Sequence, residues 1–114
     1  MVAERWPIVI IESPFSGDTK GNLDYLFRAC RDCLERREVP YASHGFFTQF
    51  LDDNIPEDRL FGITAGYSMW QATNKIVFYC DRGWSYGMQQ ALERANKLGY
   101  VVEQRYIENH QEAA

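Results

Sequence analysis

Three short runs carry the side chains best suited, by type and spacing, to act on a small ligand: SPFSGD from Ser13, HGFFTQFLDD from His44 and CDRGWSYGM from Cys80. In the last of these an apolar strand ends at Asp81 and Arg82, and Ser85-Tyr86-Gly87-Met88 then opens an amphipathic helix. Free backbone N–H groups, the Ser85 hydroxyl and the small Gly87 therefore face the strand's carboxyl end, an arrangement suited to an anion such as phosphate. Ser13-Pro14-Phe15-Ser16-Gly17-Asp18 repeats the plan after an earlier strand, where hydroxyls, Gly17 and a helix start could hold a sugar or phosphate. The same run also reads as a Pro/Gly turn with a capped helix. In the middle run, Phe47 offers a face on which a base can stack, while Gln49 and His44 offer polar groups to read its edge. Core packing is the alternative for Phe46, Phe47 and Phe50. Asp81 is the carboxylate placed to serve as an acid or to hold a ribose hydroxyl.

Other groupings carry less. Cys30 and Cys33 have redox or zinc spacing, but they fall inside a helical pattern and no second pair or His completes a metal set. Asp52-Asp53-Asn54 lacks the remaining positions of a calcium loop and reads as polarity ahead of a helix. No metal or cofactor is assigned.

The elements that must position these runs follow from periodicity. Ile8-Val9-Ile10-Ile11 is a β-branched run of the kind buried on both faces of a parallel sheet. A helix from Asn22 places Leu23, Leu26, Phe27, Cys30 and Leu34 on one stripe. Val39-Pro40-Tyr41-Ala42 reads as an edge strand, since Pro40 cannot donate to a ladder. Ser43 to Pro56 reads as a long loop with at most a helical turn, and Pro56-Glu57-Asp58 starts a helix reaching about Gln71. Gly62 and Gly66 within it permit close packing. A strand at Lys75 to Cys80, a helix from Tyr86 to Leu98 stopped by Gly99, and a strand at Tyr100 to Tyr106 complete the order β-α-β-α-β-α-β. That order predicts a single three-layer, doubly wound α/β domain with a mostly parallel sheet of four or five strands, of Rossmann or flavodoxin-like type, over residues 1–108, with a polar tail at 109–114. Ligands then bind where the loops after the first three strands meet.

Composition bounds the partners. The chain has 114 residues and a formal net charge of −4, which argues against an electrostatic footprint on DNA or RNA but leaves a small nucleotide open. No apolar stretch approaches the roughly 20 residues of a membrane span, and three cysteines without an export signal suggest reduced thiols, so a cytoplasmic location is expected. Aromatic residues make up 15% of the chain, more than a core of this size requires, so some are expected in a groove or a subunit interface, with a homodimer or higher homo-oligomer as the expected assembly.

Taken together, SPFSGD, HGFFTQFLDD and the Ser-x-Gly corner at Ser85 resemble the nucleoside 2-deoxyribosyltransferase-like superfamily, in particular its small bacterial and phage branch, over nearly the whole span from Ile8 to Tyr106. The resemblance implies a nucleoside- or nucleotide-derived ligand held by residues 13–18, His44, Phe47, Gln49, Asp81, Arg82, Ser85, Gly87 and Met88. It also implies a carboxylate working on the N-glycosidic bond. Members that cleave this bond usually carry a glutamate six residues after the serine, and Ala91 stands there. Glu93, two residues on, belongs to the solvated face. The expectation is thus a ligand-binding protein without the usual catalytic glutamate. The alternatives are an active N-glycosidase or deoxyribosyltransferase using Asp81, Asp18 or a neighbouring subunit's carboxylate, and a protein-interaction module presenting Trp6, Trp70, Trp84 and tyrosines.

Overall fold

The computed structural model describes residues 5–108; positions 1–4 and the polar tail expected at 109–114 lie outside them. The strands are β1 (Ile8–Glu12), β2 (Val39–Tyr41), β3 (Lys75–Tyr79) and β4 (Val101–Arg105). They form one sheet in the order β2-β1-β3-β4, with every pairing parallel. The helices are α1 (Thr19–Glu35), α2 (Ser43–Phe46), α3 (Pro56–Ser68) and α4 (Tyr86–Leu98), with short 3-10 turns after α2 and α3. This is the α/β, doubly wound plan of Rossmann and flavodoxin-like proteins. β2 sits at an edge, where Pro40 loses no ladder bond that matters.

Alternation along the strands sorts the core into two layers. Val9 and Ile11 of β1 and Val77 and Tyr79 of β3 pack under α1 against Tyr25, Leu26, Ala29 and Cys33. Ile10, Ile76 and Phe78 point the other way, against Trp70 and the Met88, Ala91 and Ala95 face of α4. Two features of α1 differ from the sequence reading. Its buried stripe is Asn22, Tyr25, Leu26, Ala29 and Cys33, and Phe27, 58% exposed, lies off it. The stripe is turned because two polar members do work that apolar residues cannot. The Asn22 side-chain amide donates to the carbonyls of Phe15 and Ser16 at 3.0 Å each, and the Tyr25 hydroxyl donates to Asp81 at 2.6 Å.

β4 is anchored by Arg105, only 4% exposed, which donates to both oxygens of Glu38 at 2.7 and 2.8 Å, to Glu103 at 2.6 Å and to the Tyr79 hydroxyl at 3.1 Å. Removing one partner of a buried charge held this completely would cost about 3–5 kcal/mol, because the other is left uncompensated. α3 behaves differently. Gly66, where an added Cβ would come within 2.8 Å of Ser43 Oγ, is the only buried residue of this helix. α3 therefore leans on α2 through a glycine and stands beside the sheet as a wall.

A cleft at the switch point of the sheet

β1 lies between β2, reached through α1, and β3, reached through α3, so the crevice at the carboxyl ends of β1 and β3 is the switch point where such folds take ligands. A cleft of about 540 Å³ opens there. Ser13, Phe15 and Ser16 of the first loop, His44, Phe47 and Thr48 of the second, and Ser85, Gly87 and Met88 of the third all line it. Tyr67 and Trp70 add an aromatic wall from the α3 side.

The first two loops are tied together. Ser13, 5% exposed, and His44 share a hydrogen bond of 2.8 Å between Oγ and Nε2. Burial lowers the His44 pKa to about 4, so the ring is neutral at physiological pH. Phe15 meets this ring edge-on at 6.4 Å. A neutral imidazole this hard to protonate makes a weak base, and the pair acts as a strut between loops.

The third loop is built by capping and stacking. Trp84 stacks on Phe78 at 4.9 Å, which holds the loop over the end of β3. Ser85 Oγ accepts from the Met88 N–H at 3.2 Å while the Ser85 N–H donates to Met88 Sδ at 3.4 Å. The cap leaves the N–H groups of Tyr86 and Gly87, in the first turn, without intrahelical acceptors, and both residues line the cleft at the positive end of the helix.

Glu12 is the residue that sequence reasoning missed. As the last residue of β1 it shares a face with Ile10, which packs toward α4, so its carboxyl rises into the cleft rather than toward α1. It makes no hydrogen bond or ion pair among the described residues. Its partial exposure is to the cleft, and protein surrounds it elsewhere; this desolvation raises its pKa to about 8. Burial also raises the pKa of Tyr67, and the nearby Glu12 adds to that shift. The signal was present in the strand pattern, since Glu12 has the parity of Ile10, but it counts only once the face covered by α4 is known.

Six of the expected ligand-binding residues stand elsewhere, among them Asp81, the carboxylate also expected as the acid. Asp81 has the parity of Val77 and Tyr79 and therefore points to the α1 side, away from the cleft. There it accepts from the Tyr25 hydroxyl and from the N–H groups of Ile107 and Glu108 at 2.9 and 3.0 Å. Burial alone would raise its pKa, but these donors outweigh it and hold the carboxyl below its ordinary value. Arg82 pairs with Glu108 at 2.6 Å and lies over the Tyr25 ring. Asp18 caps α1 by accepting from the Gly21 N–H at 3.1 Å, Gly17 makes the preceding turn with φ +93°, and Pro14 is buried. Gln49 donates to the Gly45 carbonyl at 3.3 Å. Ala91, 1% exposed, lies in the core beneath α4, and Glu93 is exposed.

An all-parallel α/β sheet with one cleft assembled at its switch point defines a protein of the doubly wound class. Within that class the chain belongs to the family described as Domain of unknown function (DUF7768), whose model matches residues 7–105. No curated protein and no solved structure matches the chain.

Proposed function

We propose that this protein binds a nucleoside- or nucleotide-derived ligand in the cleft between β1, α3 and α4. The observation that carries the reading is the convergence of the first-turn N–H groups at Tyr86 and Gly87 with the aromatic side chains of Phe15, Phe47 and Tyr67 in one cleft. The N–H groups suit a phosphate or sugar oxygen, and the rings suit a base. The resemblance of the three loop motifs to the nucleoside 2-deoxyribosyltransferase-like superfamily supports the same ligand class. Ala91 in place of the usual glutamate favours binding over turnover.

A second reading, cleavage of an N-glycosidic bond, is favoured by one observation. Asp81 and Asp18 lie off the cleft, but Glu12 lies in it and is largely protonated near neutral pH, the state a general acid needs to assist departure of a base. Self-association is part of the proposal. Leu60 and Phe61 of α3 are 64% and 57% exposed, which suits an interface with a second copy that would also wall the cleft.

Titration calorimetry with nucleosides and their 5′-monophosphates, on the parent and on Tyr86→Pro, tests the binding reading. Proline is accepted at the first helical position but has no N–H. Monophosphate affinity is expected to fall by roughly tenfold and nucleoside affinity much less, the loss matching one charge-assisted hydrogen bond. Equal affinities for parent and variant would remove α4 from the site.

A further inference from the structure

Glu12 has a place in the fold that neither capping nor packing explains. A carboxyl at the end of the central strand, close to Tyr67 and sharing the cleft with Trp70, Phe15 and Phe47, has lost much of its hydration and gained no protein partner among the described residues. Five other carboxyls packed against the fold are, by contrast, paired or capping: Asp81 with Tyr25, Glu38 and Glu103 with Arg105, Glu108 with Arg28 and Arg82, Asp18 with the Gly21 N–H. A carboxyl that faces an aromatic cleft without a protein partner is open to a ligand that offers it a hydrogen-bond donor and acceptor.

Resting on the nucleotide reading of the cleft, we propose that Glu12 reads the ligand's base as a neutral carboxylic acid, its O–H donating to and its C=O accepting from one edge of an uncharged heterocycle, while the sugar and phosphate lie toward the N-terminus of α4. The two ends of the cleft divide the work. The helix N-terminus offers only donors and carries positive potential, which suits anionic oxygens. Glu12 offers a donor beside an acceptor, which matches a ring nitrogen next to an exocyclic amine. Burial keeps Glu12 protonated until about pH 8, so the donor is present at neutral pH. The charged and titratable groups around it do not change that: Tyr67 and Arg59 on α3, His44 on α2, Asp53 in the loop before α3, Tyr86 at the start of α4, and Arg94, stacked on Tyr67 at 4.3 Å. His44, at about 4, stays neutral, and burial moves Tyr67 further above the neutral range.

The test is binding of adenosine and cytidine 5′-monophosphates, with ribose 5-phosphate as the base-free probe, at about pH 7 and about pH 9, where none of the three probes titrates appreciably. Ionising Glu12 removes the donor, so nucleotide affinity is expected to fall by about tenfold across this interval while ribose 5-phosphate affinity stays level. In Glu12→Gln, whose amide keeps a donor and an acceptor at every pH, the fall should vanish. Nucleotide binding with no pH dependence, or a fall that survives in Glu12→Gln, overturns the assignment of Glu12 and leaves the binding reading standing. Affinity that rises with pH would overturn it too, since that is the behaviour of a cation seeking an ionised carboxylate. Absence of binding by both monophosphates at both pH values overturns this inference, and the wider nucleotide panel then decides the binding reading separately.

Discussion

Ser13 Oγ and His44 Nε2 meet at 2.8 Å and join the loop after β1 to the helix after β2, across 31 positions of sequence. Removing the hydroxyl in Ser13→Ala leaves a part-buried ring nitrogen without its partner, which should cost about 1–2 kcal/mol. Urea unfolding measures that cost. The same variant should bind ligand more weakly, because both loops line the cleft.

His44 also makes a pH prediction. Its folded pKa of about 4 lies below the ordinary 6.5, so between these values the unfolded chain takes up a proton that the folded protein refuses. The contribution to stability is complete above about pH 6.5 and is lost as pH falls toward 4. Thermal unfolding across this interval should show a decline that is shallower in His44→Asn; an unchanged slope would mean that other groups dominate it.

Asp81 and Glu108 form a latch for the chain after β4. Asp81 holds the N–H groups of Ile107 and Glu108, and the Glu108 carboxylate pairs with Arg28 and Arg82 at 2.7 and 2.6 Å. Asp81→Ala should destabilise the protein by about 2 kcal/mol, the scale of hydrogen bonds to a charged group. Hydrogen exchange should quicken at Ile107 and Glu108, with ligand binding little altered. A large loss of binding at full stability would return Asp81 to the site.

The order of strands and helices was legible in the sequence because each element carries its own period. The β-branched run of β1, the capped amphipathic face of α4 and the Gly99 stop, with φ +81°, each act locally. The location of the cleft followed from that order. Which carboxyl enters it did not, because Asp81 and Glu12 both stand at strand ends and only the sheet's two-fold alternation separates them. Asp81 follows Tyr79 to the α1 side; Glu12 follows Ile10 to the cleft. The phase of α1 was hidden for a related reason. Tyr25 and Asn22 are buried for their hydrogen bonds, so hydrophobicity alone turned the stripe toward Phe27.

Ala91 shows why restoring a carboxylate on α4 is not a neutral change. The position is enclosed by the layer containing Ile10, Phe78 and Met88, so Ala91→Glu would bury an unpaired acid. A loss of roughly 3 kcal/mol or more is expected, measured by urea unfolding. Stability close to the parent's would mean that the new side chain reaches the cleft.

Binding in the cleft is tested most directly by incubating the pure protein with a panel of nucleosides, nucleotides and cyclic nucleotides, and analysing the filtrate by mass spectrometry before and after heat denaturation. The account predicts that at least one nucleotide disappears from the filtrate and returns intact when the protein is denatured. Recovery as free base and sugar phosphate would select the second reading, with Glu12 as the acid, and a panel left wholly undepleted would contradict the account.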